Sequence, residues 1–396
     1  MKEPPHGEAM SPVDTKALVE QLQTDVLQPL KSMFVGKDEI VDLLGVCLVA
    51  RENLFLLGPP GTAKSALVHA LGRQLDGRVF DYLLTRFTEP NELFGPFDIR
   101  KLREGDLVTN TEGMLPEAEL VFLDELLNAN SAILNSLLMA LNERVFRRGR
   151  ETRSLPVLMF VGASNNLPED EALGALFDRF LLRVPCENVE LEMLHDVLMA
   201  GWNLERRDEV TNRMSMHDVR RVQSSVLDVD LSDIRSLYVD LIQRLRHAGI
   251  KVSDRRAVRL QRVVAASALL SGRDRAIPSD LWILRYIWDT VEQQEVLAAI
   301  VTEALKRAST DEIAVAHPRS RTSDLPDPEQ LARDLERIEH RLSAVDTSPA
   351  EHAFVRDQLG LLAGRCQWVT DEQKRDFLNE RLDTLWKLIE DNGMSK

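Results

Sequence analysis

Cysteine is scarce in this chain: three in 396 residues, Cys47, Cys186 and Cys366, far apart and without a CxxC spacing. That excludes a disulfide framework and a cysteine-built zinc site, and it fits a reducing compartment. Long apolar runs are missing too. No uncharged apolar stretch reaches the roughly 18 residues of a spanning helix. The opening MKEPPHGEAMSPVDTK has no apolar core behind its basic start, so no signal peptide is expected. Positive charge is in deficit, with 49 Lys+Arg against 64 Asp+Glu for a net charge of −15. That balance argues against a protein whose whole surface grips nucleic acid or anionic lipid, and leaves room only for a local basic patch. Hydrophobic residues make up 44%, enough to bury a sizeable core, and the length suggests two or three domains. A soluble, cytoplasmic protein is the expectation.

The first 186 residues alternate short apolar runs with helical patterns. Asn53 to Leu57 (NLFLL), Leu120 to Leu123 (LVFL) and Val157 to Gly162 (VLMFVG) read as fully buried strands of a parallel sheet, because such strands are near-continuously apolar. Residues 1–186 are therefore an expected α/β core. Residues 187–315 are helical in pattern (Leu191 to Met199, Leu231 to Leu245, Arg255 to Leu270, Ser279 to Leu305) and predict a smaller all-α domain. Residues 316–330, with three prolines among serines and charges, mark a linker. In residues 331–396, Leu331, Leu335, Ile338, Leu342 and Val345 fall at 4-3-4-3 spacing, and Leu378, Leu382, Leu385 and Ile389 repeat it. Each seam is under three heptads, so a helical appendix is expected: a hairpin, a three-helix unit or a short coiled coil.

Gly58-Pro59-Pro60-Gly61-Thr62-Ala63-Lys64-Ser65 follows the NLFLL strand and precedes a helical run, and resembles the Walker A phosphate loop. Backbone N–H groups and the helix N-terminus would surround a β-phosphate, Lys64 would add a point charge, and the Ser65 hydroxyl would reach Mg²⁺. Ala63 stands where the pattern usually has glycine, and a right-handed backbone is expected there. Leu120 to Glu125 (LVFLDE) resembles Walker B. A strand ending in two carboxylates puts them at the carboxyl edge of the sheet, where open α/β folds bind ligands. Asp124 would hold Mg²⁺ through its water shell, and Glu125 would orient and deprotonate the attacking water.

Later residues narrow the class. Asn165, ending VLMFVGASN, resembles the sensor 1 residue of AAA+ ATPases. Ala175 to Phe180 (ALFDRF) resembles the box that carries the arginine finger in the MoxR and magnesium-chelatase branch. There Arg179 would reach the γ-phosphate held by a neighbouring subunit. The alternative is a surface pair with Asp178. Val252 to Arg256 (VSDRR) resembles sensor 2, with Arg255 favoured by register and Arg256 the alternative. YLLTRFTEPNELFGP, GMLPEAELVFLDE, ILNSLLMALNERVFRRG, SNNLPEDEALGALFDRF and VSDRRAVRLQRVVAASALLSGR together look like the RavA branch of the MoxR AAA+ family over residues 20 to 310.

The resemblance implies an AAA+ P-loop αβα core with a parallel sheet, an all-α lid and a hexameric ring that hydrolyses ATP with Mg²⁺ at subunit interfaces. It also implies a remodelling or chaperone role toward a protein substrate, beside a partner containing a von Willebrand factor A domain. Two insertions of that clade are expected. One lies at about Asn91 to Leu115, with DLVTNTEG as a hairpin, and the other at Glu143 to Ser154. A competing reading is a nucleic-acid motor using RVFRRGRETR (Arg144 to Arg153), with five arginines and one acid. A nucleotide-gated scaffold is a third reading, though the retained Glu125, Asn165 and Arg179 show no sign of a dead site.

Overall fold

The computed structural model describes residues 12–104, 108–148, 151–168, 171–205, 213–305, 317–320 and 372–393, with scattered helical positions between 331 and 366. Seven strands occur among them: β1 Leu54–Leu57, β2 Val79–Leu83, β3 Leu120–Asp124, β4 Val145–Arg148, β5 Glu151–Ser154, β6 Met159–Ser164 and β7 Leu182–Pro185. Five form one sheet in the order β2-β3-β6-β1-β7, and every neighbouring pair is parallel. Parallel neighbours need crossovers, which the helices Lys64–Gln74 and Ser131–Glu143 help to supply. The expected α/β core is thus present, with β6 inserted between β1 and β3. All six residues of β6 are buried, as are the first three of β1, which is why both runs lack polar alternation.

The helix Asp38–Ala50 is buried along almost its whole length because it is covered on two sides. It lies beside β1 and β7 and packs against the helix Asp254–Leu270 of the helical region. Apolar burial is continuous from Val19 to Ala304, so sheet and helical region share one core. The expected helix over 279–305 is divided into a 3₁₀ segment Pro278–Tyr286 and an α-helix Glu292–Leu305. The interruption has a cause: Arg183 on β7 donates to the carbonyls of Ile287 (3.2 Å) and Trp288 (2.7 Å), which a continuous helix would have used internally.

Of the two expected insertions, β4 and β5 form the second as an antiparallel hairpin, its tip at 149–150 outside the described residues. The first differs from expectation. Asp98 N–H donates to Val108 O and Asn110 N–H to Pro96 O, both at 2.8 Å, so the two arms of the insertion pair around a short helix Ile99–Arg103. DLVTNTEG supplies one arm of that pairing; its residues Asp106 and Leu107 lie outside the described set.

Within the expected linker, 317–320 is docked. His317 stacks on Trp282 with ring centroids 4.7 Å apart, and Arg319 pairs with the buried Asp42 at 2.8 Å. The rest of 316–330 lies outside the described residues, as do Leu342 and Val345 of the expected seam. Leu331, Leu335 and Ile338 are buried together with Leu359, Leu362 and Cys366 and with Leu378, Leu382, Leu385 and Ile389. The last four lie on the helix Glu372–Gly393. Three stretches of chain thus share one small core, as a three-helix unit requires.

Candidate active site

The loop after β1 is shaped by close backbone approach. Gly58 N–H donates to Ser164 O at the end of β6 (3.0 Å), and a Cβ on Gly58 would lie 2.0 Å from Cys186 O just past β7. Only glycine fits where three strand ends converge. Gly61 takes φ +84°, and Ala63 takes φ +65°, ψ +23°. The right-handed backbone expected at Ala63 is therefore wrong. The loop must reverse direction immediately before the helix, which calls for the left-handed region, and an alanine there carries strain of about 1–2 kcal/mol. Lys64 opens the helix with its side chain buried, and its ammonium donates to the carbonyls of Gly58 and Pro59, both at 2.8 Å. The charge is thus held inside the loop, beside the N–H groups that would receive phosphate oxygens. Thr62 Oγ1 donates back to Pro59 O (3.0 Å), closing the turn. Pro60 lies within the same loop, and Ser65 is the second helical residue and half-buried.

The strand order brings the other groups to this loop. Because β6 lies between β1 and β3, Asn165 at its end falls between Lys64 and the carboxylates that end β3. Asn165 Nδ2 donates to Glu125 Oε1 at 2.7 Å. Glu125 is itself in the left-handed region (φ +50°, ψ +41°), with its N–H on Asp124 Oδ1 at 3.0 Å. A non-glycine residue held there is strained, a feature that clusters at functional sites. Burial pushes the Glu125 carboxyl above the usual carboxylate range, the Asp124 charge adds to this, and Lys64 opposes it. Asp124 and Ser65 offer two oxygen donors, and no group of three or more metal-ligating side chains exists among the described residues. Such a sparse set suits Mg²⁺, which keeps several waters and takes further ligands from phosphates.

Arg179 and Arg255 are elsewhere. Leu54 on β1 pairs with Leu182 on β7 and Leu57 with Pro185, so residues before β7 sit at the amino edge of the sheet. Arg179 is there, its carbonyl accepting from Asn53 Nδ2 at 3.0 Å. The four residues of β1 separate Asn53 from Gly58, five steps or roughly 16 Å at strand rise, beyond the reach of an arginine side chain. Arg179 is half-buried; burial, then the nearby Arg255 charge, lowers its pKa. Arg255 is thus its neighbour at the amino edge. Arg259, one turn on, pairs there with the buried Glu52 (Nε to Oε1, 3.2 Å). Arg256 instead faces inward, donating to Lys251 O (2.9 Å) and Asp289 Oδ1 (3.2 Å). The structure therefore brings Lys64, Ser65, Asp124, Glu125 and Asn165 together and sets Arg179 and Arg255 on the opposite edge.

Asp178, the alternative partner for Arg179, lies instead 3.7 Å from Arg183. Sequence reasoning missed Arg183, which is wholly buried, stands 4.1 Å over the Phe177 ring and pairs with Asp289 at 2.5 Å. A lone arginine inside the apolar strand LRVP was the available signal, since a buried charge demands a partner. Asn53 was also missed: besides donating to the Arg179 carbonyl, it accepts from Arg144 Nη2 at 2.7 Å.

Of the described arginines of the hairpin, Arg144 and Arg148 turn inward, whereas Arg147 and Arg153 stay exposed in ion pairs. Arg144 is buried over the Phe160 ring (4.6 Å), and Arg147 lies 3.7 Å from Glu143. Arg148 donates to Gly95 O (2.6 Å) over Phe97, and Arg153 pairs with Glu151 (2.5 Å). Arg150 lies outside the described residues. Two of these four cations are committed to internal contacts and the other two are paired with acids at the surface, so the described residues of the hairpin do not form a stripe of unpaired cations.

Residues 20–224 match the family described as the MoxR domain in the MoxR-vWA-beta-propeller ternary systems, and residues 230–301 match an AAA lid domain. The uncharacterized protein MJ0812 of Methanocaldococcus jannaschii is 34% identical over 312 residues, which cover 73% of this chain and 83% of that protein. Chaperone MoxR1 of Mycobacterium tuberculosis is 24% identical over 68% of this chain and 74% of its own length. A crystal structure from Cytophaga hutchinsonii, described as that of a candidate ATPase, superposes with a TM-score of 0.62 at 18% identity. It covers 75% of this chain and 97% of that one, which supports the fold. The nucleotide-site motifs, the strand order and these matches lead to one conclusion: the chain belongs to the MoxR family of AAA+ ATPases.

Proposed function

We propose that this protein binds ATP with Mg²⁺ at the phosphate loop and hydrolyses it between adjacent copies of itself, in a closed, hexameric ring. The observation that carries the proposal is the division of groups between the two edges of the sheet. Lys64, Glu125 and Asn165 stand at the carboxyl edge, and Arg179 stands at the amino edge with Asn53 holding its backbone. A second copy can bring its Arg179 to the first copy's phosphate loop; the same chain cannot. Glu125, with its raised pKa and the Asn165 amide on one oxygen, is placed to accept a proton from water, and Asn165 to align that water. Asp124 and Ser65 would hold Mg²⁺, which supplies charge neutralisation at the phosphates. Arg179 and Arg255 of the next copy would neutralise charge that develops on the γ-phosphate. The load is a protein, remodelled beside a partner with a von Willebrand factor A domain in the cytoplasm. This last step rests on the family's description as part of MoxR-vWA-beta-propeller systems and on the chaperone-named relative.

The test is complementation. Arg179→Ala should bind ATP as the parent does and turn over slower by roughly 10³-fold. Mixed with Lys64→Ala, which keeps its Arg179, it should regain part of the activity at mixed interfaces. No recovery despite demonstrated co-assembly would overturn the assignment in trans.

A further inference from the structure

The segment leaving β7 runs along the carboxyl edge and then exposes apolar side chains. Cys186 N–H donates to Leu57 O at 2.7 Å, and Val189 and Met193 lie over Gly36, where a Cβ would come within 2.8 Å of Val189 Cγ1. The helix Leu194–Glu205 follows directly. Leu191 is 87% exposed, Leu198 65%, Trp202 65%, and Leu194 and Met199 are exposed as well. Positions 194, 198 and 202 recur every four residues, so they form one stripe, with Leu191 ahead of it. A water-facing stripe holding a tryptophan and three leucines is a binding surface by its energetics, since each side chain gains roughly 1.5–3 kcal/mol on burial. Its own segment is acidic: Glu187, Glu190 and Asp196 fall between 187 and 202 and no lysine or arginine does, while Lys37 reaches in to the Glu187 carbonyl.

The opposite edge has the complementary character. On the helix Asp254–Leu270, Arg255, Val258, Arg259 and Arg262 fall at i, i+3, i+4 and i+7, one face, with Val258 63% exposed. Arg179 feels the charges of Arg255 and Arg259, and Arg51 feels that of Arg262, so these cations form one basic field around an exposed valine. Glu52, bound to Arg259, Asp178 beside Arg179 and Asp254 at the helix start, paired with Arg246, are the acids within it, fewer than the cations.

We infer that the stripe Leu191–Leu194–Leu198–Trp202 is the docking surface for a second copy of this chain, which presents its Arg179–Arg255–Val258 face. The inference rests on the trans reading of Arg179 and adds what holds the copies in place. An acidic, apolar surface beside the phosphate loop meets a basic, valine-centred surface beside the finger, a head-to-tail contact that propagates until it closes. Opposite charge sets the register and speeds encounter, and the buried leucines and tryptophan supply the affinity.

The test uses the full chain with Mg²⁺ and a non-hydrolysable ATP analogue. Leu198→Glu and Trp202→Glu should each weaken assembly by roughly 30-fold or more, read as molar mass by sedimentation, while the monomer still binds a fluorescent ATP analogue. Because Cys47, Cys186 and Cys366 are buried, a single introduced thiol can report directly. Leu198→Cys should react with a maleimide in the monomer and become protected on assembly. A mixture of Leu198→Cys and Val258→Cys proteins should cross-link through a short bis-maleimide, whereas neither variant alone should. Parental mass in the glutamate variants would overturn the inference and leave the stripe to a different protein. Poor labelling of Leu198→Cys in the monomer would overturn it in favour of cover by this chain itself, and self-cross-linking of either variant in favour of a symmetric contact. None of these readouts uses turnover, so an active Arg179→Ala protein would sink the trans reading separately.

Discussion

The two edges of the central sheet are assembled differently. At the carboxyl edge the groups sit at or just after strand ends: the loop Gly58–Ser65 after β1, Asp124 and Glu125 at the end of β3 and Asn165 after β6. The strand places the residue, and a local turn, often strained, aims it; Gly61, Ala63 and Glu125 all take positive φ. At the amino edge the groups come from remote segments and are held by side chains reaching across the chain. Asn53 holds Arg179, Glu52 holds Arg259 of the helical region, and Asp289 gathers Arg183 and Arg256. One edge depends on backbone conformation and acid, the other on side-chain pairing and base. Local geometry can be written in a motif of eight residues, whereas a network spanning more than a hundred residues cannot.

Breaking the carboxyl edge should give the largest effects. Lys64→Ala should abolish tight ATP binding, because the lysine supplies charge to the bound state. Glu125→Gln should keep binding and lose turnover by at least about 10³-fold, because in the proposed mechanism the carboxylate acts on the water alone. Equal loss of nucleotide affinity in both would break the division of roles. Burial raises the Glu125 pKa, so turnover in the parent should fall on acidification at a pH above the usual carboxylate range, as the base becomes protonated. A rate that holds until the usual carboxylate range is reached would contradict that.

The amino edge gives a smaller and more diagnostic effect. Arg256→Ala should destabilise the fold by about 1–3 kcal/mol in chemical denaturation, since its hydrogen bonds to Asp289 and the Lys251 carbonyl are internal. Arg255→Ala, on the same helix turn but exposed, should leave the unfolding midpoint in place and slow turnover of the assembled protein. The reverse pattern would exchange the two arginines. The smallest effect returns to the phosphate loop. Ala63→Gly should stabilise by up to about 1 kcal/mol, the relief of left-handed strain less the added freedom of the unfolded chain. A lower melting temperature would show that the alanine methyl makes a contact worth more than the strain.

Much of this protein was legible in its residues. The buried parallel strands, the phosphate loop, the carboxylate pair at the end of β3, the hairpin before β6 and the apolar seams of the appendix follow from apolar runs, turn residues and spacing. All of these depend on neighbours within a few positions. The pattern could not show that Ala63 turns left-handed, because the converging ends of β1, β6 and β7 decide the path of that loop. Nor could it show that Arg255 and Arg256, adjacent and chemically identical, have different surroundings, Arg256 paired with Asp289 and Arg255 exposed. The arginines of the 144–153 hairpin read as an open basic patch, and only tertiary contacts with Asn53, Phe160, Phe97 and Gly95 turned two of them, Arg144 and Arg148, inward. The separation of Lys64 from Arg179 belongs to the same class. Residue spacing fixes which strand end a side chain follows, but the order β2-β3-β6-β1-β7 decides which ends meet, because pairing energy is gained between segments distant in the chain.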